Sequence, residues 1–535
     1  MALDASSALA EASTPLVRNA HRLDGDVFTM LAAIAAALCA TPAIAVFALS
    51  LRPGEATAFG GALLRDGAFG TLALTLLGGG GALVLGATAA CLVSLCRFPG
   101  RRVFEWLLVV PLAAPSYILA YAYGAATWAG AAPLAVQGFW GAAFVYAIGL
   151  YPYVYIAMLA AFSSQYSCAL EAARTLGARP LDVFWRVALP LARPGLAAGG
   201  ALAMMEIAAD YGAAHHFGVT TLSTAVFRAW YAHGDLRGAL QIASILLLAA
   251  LVFLWFERRA RGRAAYVGRS TRLSAPNRYI LNPTASVGAF LFCASLILFG
   301  AILPLAWLAR LALLHGNVED IAGPLANSLI LASAGALGTL ALASVIAVIG
   351  RRGGALGRSA SYAAGLGYAV PGAVIAMGAL GAFTLLREAG IVGGLSSGIA
   401  LSALLWAYAA RFSAAGVQPI DAGLSRLAKG LDDSARTLGA GAWRRFTRID
   451  LPISAPSLAA ATLILFVEIL KELPATLILR PFDFDTLAVR AYSYASDERL
   501  LEAAAPALLI FAAGLAPIVL LARGIARLRA GERHP

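Results

Sequence analysis

Four carboxylates stand in stretches of this sequence that are otherwise almost wholly apolar: Glu206 and Asp210, and 262 residues later Glu468 and Glu472. An ionised carboxyl at the depth of a lipid bilayer is costly unless it is paired or faces water, so such groups mark candidate functional positions. The i, i+4 spacing within each pair predicts one shared helix face. Hard oxygen donors suit a small, highly charged cation, which makes Glu468 and Glu472 candidate transient metal ligands. Lys471 lies beside Glu472 and three residues from Glu468, and it supports a second reading in which the cluster is neutralised and holds helices together. Both readings stand for Glu206, Asp210, Glu468, Lys471 and Glu472: they line a polar pathway or they brace a bundle. His215-His216 offers imidazoles nearby, but the second copy has Thr476-Leu477-Ile478 there, which favours a packing or rim role.

The carboxylates recur because the chain is internally duplicated. Glu171-Ala172-Ala173-Arg174-Thr175-Leu176-Gly177, closing with Val187-Ala188-Leu189-Pro190, returns as Asp433-Ser434-Ala435-Arg436-Thr437-Leu438-Gly439, closing with Ile449-Asp450-Leu451-Pro452. The same offset carries Thr224 onto Thr486 and Arg228 onto Arg490, so the register is expected to run without a gap. A duplication of this extent predicts two equivalent halves.

The elements that position these residues are membrane helices. Hydrophobic residues make up 60% of the 535 and charged ones 13%, and the apolar residues fall in runs long enough to cross a bilayer. The expectation is an all-α, polytopic bundle of about twelve spans in two tandem halves of about six helices each. The third and ninth spans are placed at Val103–Trp128 and Ser359–Leu386, the fifth and eleventh at Gly195–Phe217 and Leu458–Leu479. The Gly-rich runs, Gly78 to Gly81 among them, read as close helix packing. Residues 1–27 form a tail without the order of a cleaved signal, 28–257 the first half, 258–286 an Arg-rich linker, 287–524 the second half and 525–535 a second tail. Most of the 40 Lys and Arg residues fall on the side shared by both chain ends, which the positive-inside rule places in the cytoplasm. A pI near 9.7 does not argue for nucleic acid, because the basic residues are spread over short loops rather than gathered with aromatics on one face. The five cysteines form no CxxC pair and lie mostly in spans, which implies no disulfide or zinc site.

Both copies of the repeated motif fall in long cytoplasmic connections and read as two short helices broken at a glycine. Gly177 and Gly439 suit a left-handed helix cap, and Pro180 suits the first turn of the next helix. The spacing Glu-Ala-Ala, three residues, Gly, nine residues, an aliphatic residue, one residue, Leu-Pro resembles the signature of permease subunits of binding-protein-dependent ABC importers. That resemblance implies docking on an ATPase through Glu171, Ala172, Ala173, Gly177, Leu189 and Pro190, and through Asp433, Ser434, Ala435, Gly439, Leu451 and Pro452. The second copy departs from Glu-Ala-Ala at Asp433-Ser434-Ala435.

Lys471-Glu472-Leu473-Pro474-Ala475-Thr476-Leu477, followed by Leu479-Arg480-Pro481 and Thr486-Leu487-Ala488, resembles the fused permeases of ferric-iron importers over nearly the whole chain. It implies a bacterial inner-membrane transport subunit with both termini cytoplasmic, served by separate ATPase subunits, two in number, and an external substrate-binding protein. No cofactor is implied for the chain itself, and ATP is used by the partner. Neither lysine, Lys429 or Lys471, follows a glycine, so no phosphate-binding loop is written here. The same architecture serves thiamine, phosphonate and polyamine importers. An ion-coupled secondary transporter could use the carboxylates as a relay, but the duplicated docking loop argues against it. No enzyme constellation stands out beyond those carboxylates. The segments Thr224 to Tyr231 and Thr486 to Tyr494 read as short interfacial helices that meet the binding protein or anchor at the headgroups.

Overall fold

The computed structural model describes residues 30–52, 60–129, 136–164, 173–262 apart from 174 and 178, 278–315, 319–352, 355–391, 393, 396–425 and 434–531 apart from 436. The tail at 1–27, most of the basic linker, Glu171, Ala172, Asp433 and Cys168 lie outside them. The helices are α1 Met30–Ser50, α2 Gly60–Leu95, α3 Arg101–Leu107, α4 Ser116–Trp128, α5 Gly138–Ser164, α6 Pro180–Val183 and α7 Leu189–Ala209. There follow α8 Gly212–His216, α9 Leu222–Phe227, α10 Leu236–Gly262, α11 Pro283–Ile297, α12 Leu303–His315, α13 Glu319–Arg352 and α14 Ala355–Ala369. The chain continues with α15 Gly372–Glu388, α16 Ser397–Leu424, α17 Ala442–Arg445, α18 Leu451–Leu470, α19 Pro474–Leu479, α20 Leu487–Ser496 and α21 Leu500–Gly531. Two-residue strands β1 Cys96–Arg97 and β2 Tyr279–Ile280 pair in parallel and tie the end of the linker to the first half. The expected C-terminal tail continues as helix in α21 to Gly531.

Among the described residues ten helices are long and apolar enough to cross a membrane, and eleven if Arg101–Ala113 and Ser116–Thr127, bent by 87°, form one span. The spans expected at Val103–Trp128 and Ser359–Leu386 are therefore not continuous. The first is interrupted before Pro115 and the second before Pro371. Proline removes a hydrogen-bond donor, clashes with the carbonyl four residues back and drives its predecessor out of the helical region; Ala114 is extended, with ψ 119°. At 15 and 17 residues, α14 and α15 reach only about 22 and 26 Å at ~1.5 Å per residue.

The chain forms two compact units that do not follow the sequence halves. Of the described residues, those within 30–45, 329–370 and 378–470 form one, and those within 46–328, 371–377 and 471–531 the other. In the first unit α16 packs on α14 and α18 over a core of small and branched side chains, including Ala343, Ala347, Val348, Ile420, Leu424 and Ala461. The α1 segment is held there by Trp406, whose indole N–H donates to the Leu38 carbonyl at 2.9 Å. In the second unit α2 packs on α5 and α7, α7 on α10, and α21 on α12 and α20. Its core carries the fully buried tyrosines Tyr121, Tyr146, Tyr151 and Tyr155. The glycine run of α2 serves packing, as a Cβ on Gly81 would stand 2.8 Å from that of Ala147. Cys39, Cys91, Cys96 and Cys293 are free thiols.

Close approach sets the tolerance of the first unit. A Cβ on Gly367 would lie 2.0 Å from the Ala410 carbonyl oxygen, whereas one on Gly338 meets nothing within 4 Å. Gly367→Ala is expected to cost about 1–3 kcal/mol through overpacking. Gly338→Ala is expected to be neutral or mildly stabilising through helix propensity. Thermal melting of the detergent-solubilised variants checks the contrast.

Candidate functional site

Each repeated loop has the same local build. Gly177 has φ 78° and Gly439 φ 75°, the left-handed conformation that suits glycine because it lacks a Cβ. At the second copy the Ala440 N–H bonds to the Ala435 carbonyl at 3.0 Å, the six-to-one closure of a Schellman cap. The residue before each glycine, Leu176 and Leu438, is 87% exposed in both copies. After each glycine a single-turn helix, α6 or α17, leads into a five-residue π turn, Phe184–Ala188 or Phe446–Asp450, and then into the long helix α7 or α18. The two π turns are separated by the same 262 residues as the motif. Such turns admit one extra residue per turn and occur often at functional sites. Nothing in the sequence pattern singled them out.

Of the expected docking residues, Ala173, Leu189 and Pro190 are half-buried, Ala435 is buried, and Ser434, Leu451 and Pro452 are exposed with both glycines. The large side chains that the loops present outward are instead Leu176, Leu438 and Trp185, the last 61% exposed. On the second copy, Asp450 is buried and lies 4.0 Å from Arg351.

At the far end of α7, 21 residues or about 30 Å from the loop, the helix stops at Ala209. Asp210 does not continue it onto the face of Glu206: its ψ is 133°. Its Oδ1 accepts from the Tyr146 hydroxyl at 2.9 Å and from the Ala213 N–H at 2.8 Å, so it caps the short helix α8. The second copy does the same with a longer side chain. Helix α18 stops at Leu470, and the buried Glu472 accepts from the N–H groups of Ala475 and Thr476 at 2.9 and 3.0 Å and from the Thr476 hydroxyl at 2.8 Å. The shared helical face expected for each i, i+4 pair is thus lost at its second member, because helix N-termini need acceptors for their free N–H groups. Glu206, Glu468 and Lys471 are half-buried, and the Lys471 carbonyl accepts from the Tyr117 hydroxyl at 3.1 Å. Among the described residues no three His, Cys, Asp or Glu side chains cluster as a metal site.

Beyond these caps the two copies converge again, though not in the expected register. Thr221 caps α9 and Thr486 caps α20, each accepting from the N–H three residues on. The Leu222 N–H donates to the Thr71 hydroxyl at 2.8 Å and the Leu487 N–H to Ser328 at 2.7 Å. Thr221, not Thr224, therefore matches Thr486, and the second copy carries three extra residues between its carboxylate and its threonine. The expected interfacial helices also differ: every residue of α9 is buried, as are Leu487, Ala488 and Val489 of α20.

Between these elements, within the second unit, lies a cavity of about 360 Å³ whose polar lining includes Tyr211, His215, Arg228, Tyr231, Arg480 and Tyr492. The Tyr211 and Tyr492 hydroxyls are 2.6 Å apart. The His215 ring lies tilted against both of those rings, at 5.3 and 5.5 Å. His216 packs edge-on against Tyr121 at 5.2 Å, in space that Gly124 leaves open. The histidines thus divide, one at the cavity and one in packing. Arg480 and Tyr492 fall in stretches the sequence singles out, but not as site residues, because only the local turn geometry brings them beside Tyr211.

The family model for the inner membrane component of binding-protein-dependent transport systems matches residues 82–263 and 340–530, one match in each half. The Fe(3+)-transport system permease protein FbpB 2 of Haemophilus influenzae is 24% identical over 82% of this chain and 86% of its own. The molybdenum transport system permease protein ModB of Escherichia coli K12 is 29% identical over 34% of this chain and 88% of its own. A Salmonella paratyphi A permease provisionally named for 2-aminoethylphosphonate transport, PhnU, is 28% identical over 38% of this chain and 75% of its own.

Glu472→Ala strips the acceptor from two buried N–H groups and a hydroxyl, and is expected to lower stability by about 1–3 kcal/mol for each group left unsatisfied. Glu472→Gln keeps an acceptor oxygen and most of that stability. Melting of the two variants, measured beside uptake, separates a bracing carboxylate from a cargo ligand: uptake lost in Glu472→Gln at unchanged melting temperature sinks the capping role as its main one.

Proposed function

The chain belongs to the family of inner membrane components of binding-protein-dependent transport systems, and from that membership we propose that it is the fused permease through which an ABC importer moves ferric iron. It is a multi-pass membrane subunit with one permease half in each part of the chain. The iron assignment is supported by the relative that runs along 82% of the chain and is named for Fe(3+) transport. The matches to ModB and PhnU cover 34% and 38% of the chain, and so speak for the shared permease unit more than for its cargo.

The observation that carries the docking role is the repeated loop. Two copies of one conformation each hold a leucine out into solvent beside a left-handed glycine and lead through a π turn into a long helix. A single exposed apolar side chain is ordinary, but the same leucine held out at the same place in both copies supports a pocket on a partner. We assign that partner as two ATPase subunits on the cytoplasmic side, with both chain ends on that side and the substrate-binding protein opposite. ATP binding by the partners draws the loops together, and α7 and α18 carry the displacement along their length as packed, rigid rods. For Asp210 and Glu472 the cap geometry supports bracing over lining, which leaves Glu206, Glu468 and Lys471 as the candidate pathway residues.

Labelled ferric iron uptake by iron-starved cells with and without the gene, run beside molybdate and 2-aminoethylphosphonate, tests the cargo; loss of either of the latter with iron uptake intact overturns it. Leu176→Asp and Leu438→Asp are each expected to cut uptake at least tenfold while the protein stays in the membrane at its usual level. Each is also expected to reduce the ATPase recovered with the affinity-purified permease. Full recovery of the ATPase by the double variant would refute the docking assignment.

A further inference from the structure

We propose that the cavity in the second unit is an oxyanion site, and that cargo passes it as an anion or inside an anionic oxygen chelate rather than as a bare cation. This inference rests on the importer reading above and narrows its substrate class. The cavity's described lining has two guanidiniums, Arg228 and Arg480, three phenols, Tyr211, Tyr231 and Tyr492, and the imidazole of His215, with no carboxylate. Asp485, just outside that lining, pairs with Arg480 and lies 3.6 Å from Arg490. Arg228 is exposed and donates a long hydrogen bond to the Thr220 hydroxyl at 3.4 Å. Three guanidiniums against one carboxylate leave a net positive charge at a concave, partly desolvated surface, where field lines concentrate and attract anions.

The donor geometry fits the charge. Guanidiniums present planar forks matched to carboxylate, phosphate and related oxyanions. The Tyr211 and Tyr492 hydroxyls, 2.6 Å apart, share one hydrogen bond, which leaves the second phenol proton to donate to an incoming oxygen. The Tyr231 hydroxyl is engaged by the Leu477 carbonyl at 2.5 Å, which holds its ring at the rim, stacked 5.9 Å from Phe227. A cavity of about 360 Å³ holds a tetrahedral oxyanion with its water, or one small chelated metal. A bare multivalent cation would meet two guanidiniums at this lining and no carboxylate to offset their charge.

The test uses the full chain in nanodiscs, with binding followed by isothermal titration and by tyrosine fluorescence. The probes are molybdate and inorganic phosphate as free oxyanions, ferric citrate with citrate alone as its control, and hexaamminecobalt(III) as a trivalent cation bearing no oxygen. Oxyanions or ferric citrate are expected to bind, more weakly by at least tenfold in Arg228→Gln and again in Arg480→Gln, with hexaamminecobalt(III) silent. Ferric citrate binding above citrate alone identifies a chelate as the cargo form, and equal binding of the free oxyanions identifies an anion. Binding of hexaamminecobalt(III) alone, or anion binding unchanged in both arginine variants, overturns the proposal. If anions bind as expected but iron uptake does not depend on the gene, the iron reading fails and the cavity assignment stands. If uptake depends on the gene and no anion binds, the cavity assignment fails alone.

Discussion

A backbone that leaves its helix inside hydrocarbon must find its hydrogen-bond partners within the protein, and the interior of this permease is arranged around that demand. The long helices α7 and α18 end at Ala209 and Leu470, and the donors exposed by the next short helix are met by Asp210 and by Glu472. A few residues later the chain turns again, and the hydroxyls of Thr71 and Ser328 meet the N–H groups that the second turn leaves free. With these groups satisfied, the chain can break into short helices after each long one, and residues of those short segments, Tyr211 and Tyr492 among them, line the cavity. Polar residues at depth are thus first the means of breaking a helix, and only through that the makers of a site.

Much of this was legible in the sequence. The duplication, the membrane class and the loop with its left-handed glycines followed from residue types and spacing, because each depends on local chemistry that the sequence states directly. The helix breaks were less legible. Pro115 and Pro371 sit in runs apolar enough to read as single spans, and hydropathy is blind to whether a proline bends a helix or ends it. The carboxylates were located but their geometry was misread, since an i, i+4 pair shares a face only if the helix continues, and here the second acid is the reason the next helix can start. The register between Thr221 and Thr486 was also misread, because Thr224 and Arg228 made a gapless match plausible while the hydrogen bonds to Thr71 and Ser328 fix a different one. The partition into units lies beyond sequence altogether: residues 30–45 group with the later part of the chain and 471–531 with the earlier part.

The loop and the long helix behind it form one mechanical element. From Gly177 the chain passes through a turn of helix and a π turn directly into α7, which lies against α2, α5 and α10 along its length. Packed helix thus fills the distance between the loop and the Asp210 cap, and close-packed interiors move in discrete rearrangements. The exposed leucine sits at one end of that element and the cavity-lining Tyr211 follows the other end.

The three extra residues between Glu472 and Thr486 carry an evolutionary consequence. Two identical subunits around a two-fold axis must place every side chain twice, so a change that improves one wall of a central chamber is forced on the opposite wall as well. Joining the copies in one gene lifts that restriction. In this chain the offset between copies stays at 262 residues from Leu176 to Asp210 and has become 265 by Thr221, so that Phe227 of the cavity lining corresponds to Tyr492. The fusion thus permits a chamber with handed, unlike walls, a shape that no homodimer can inherit.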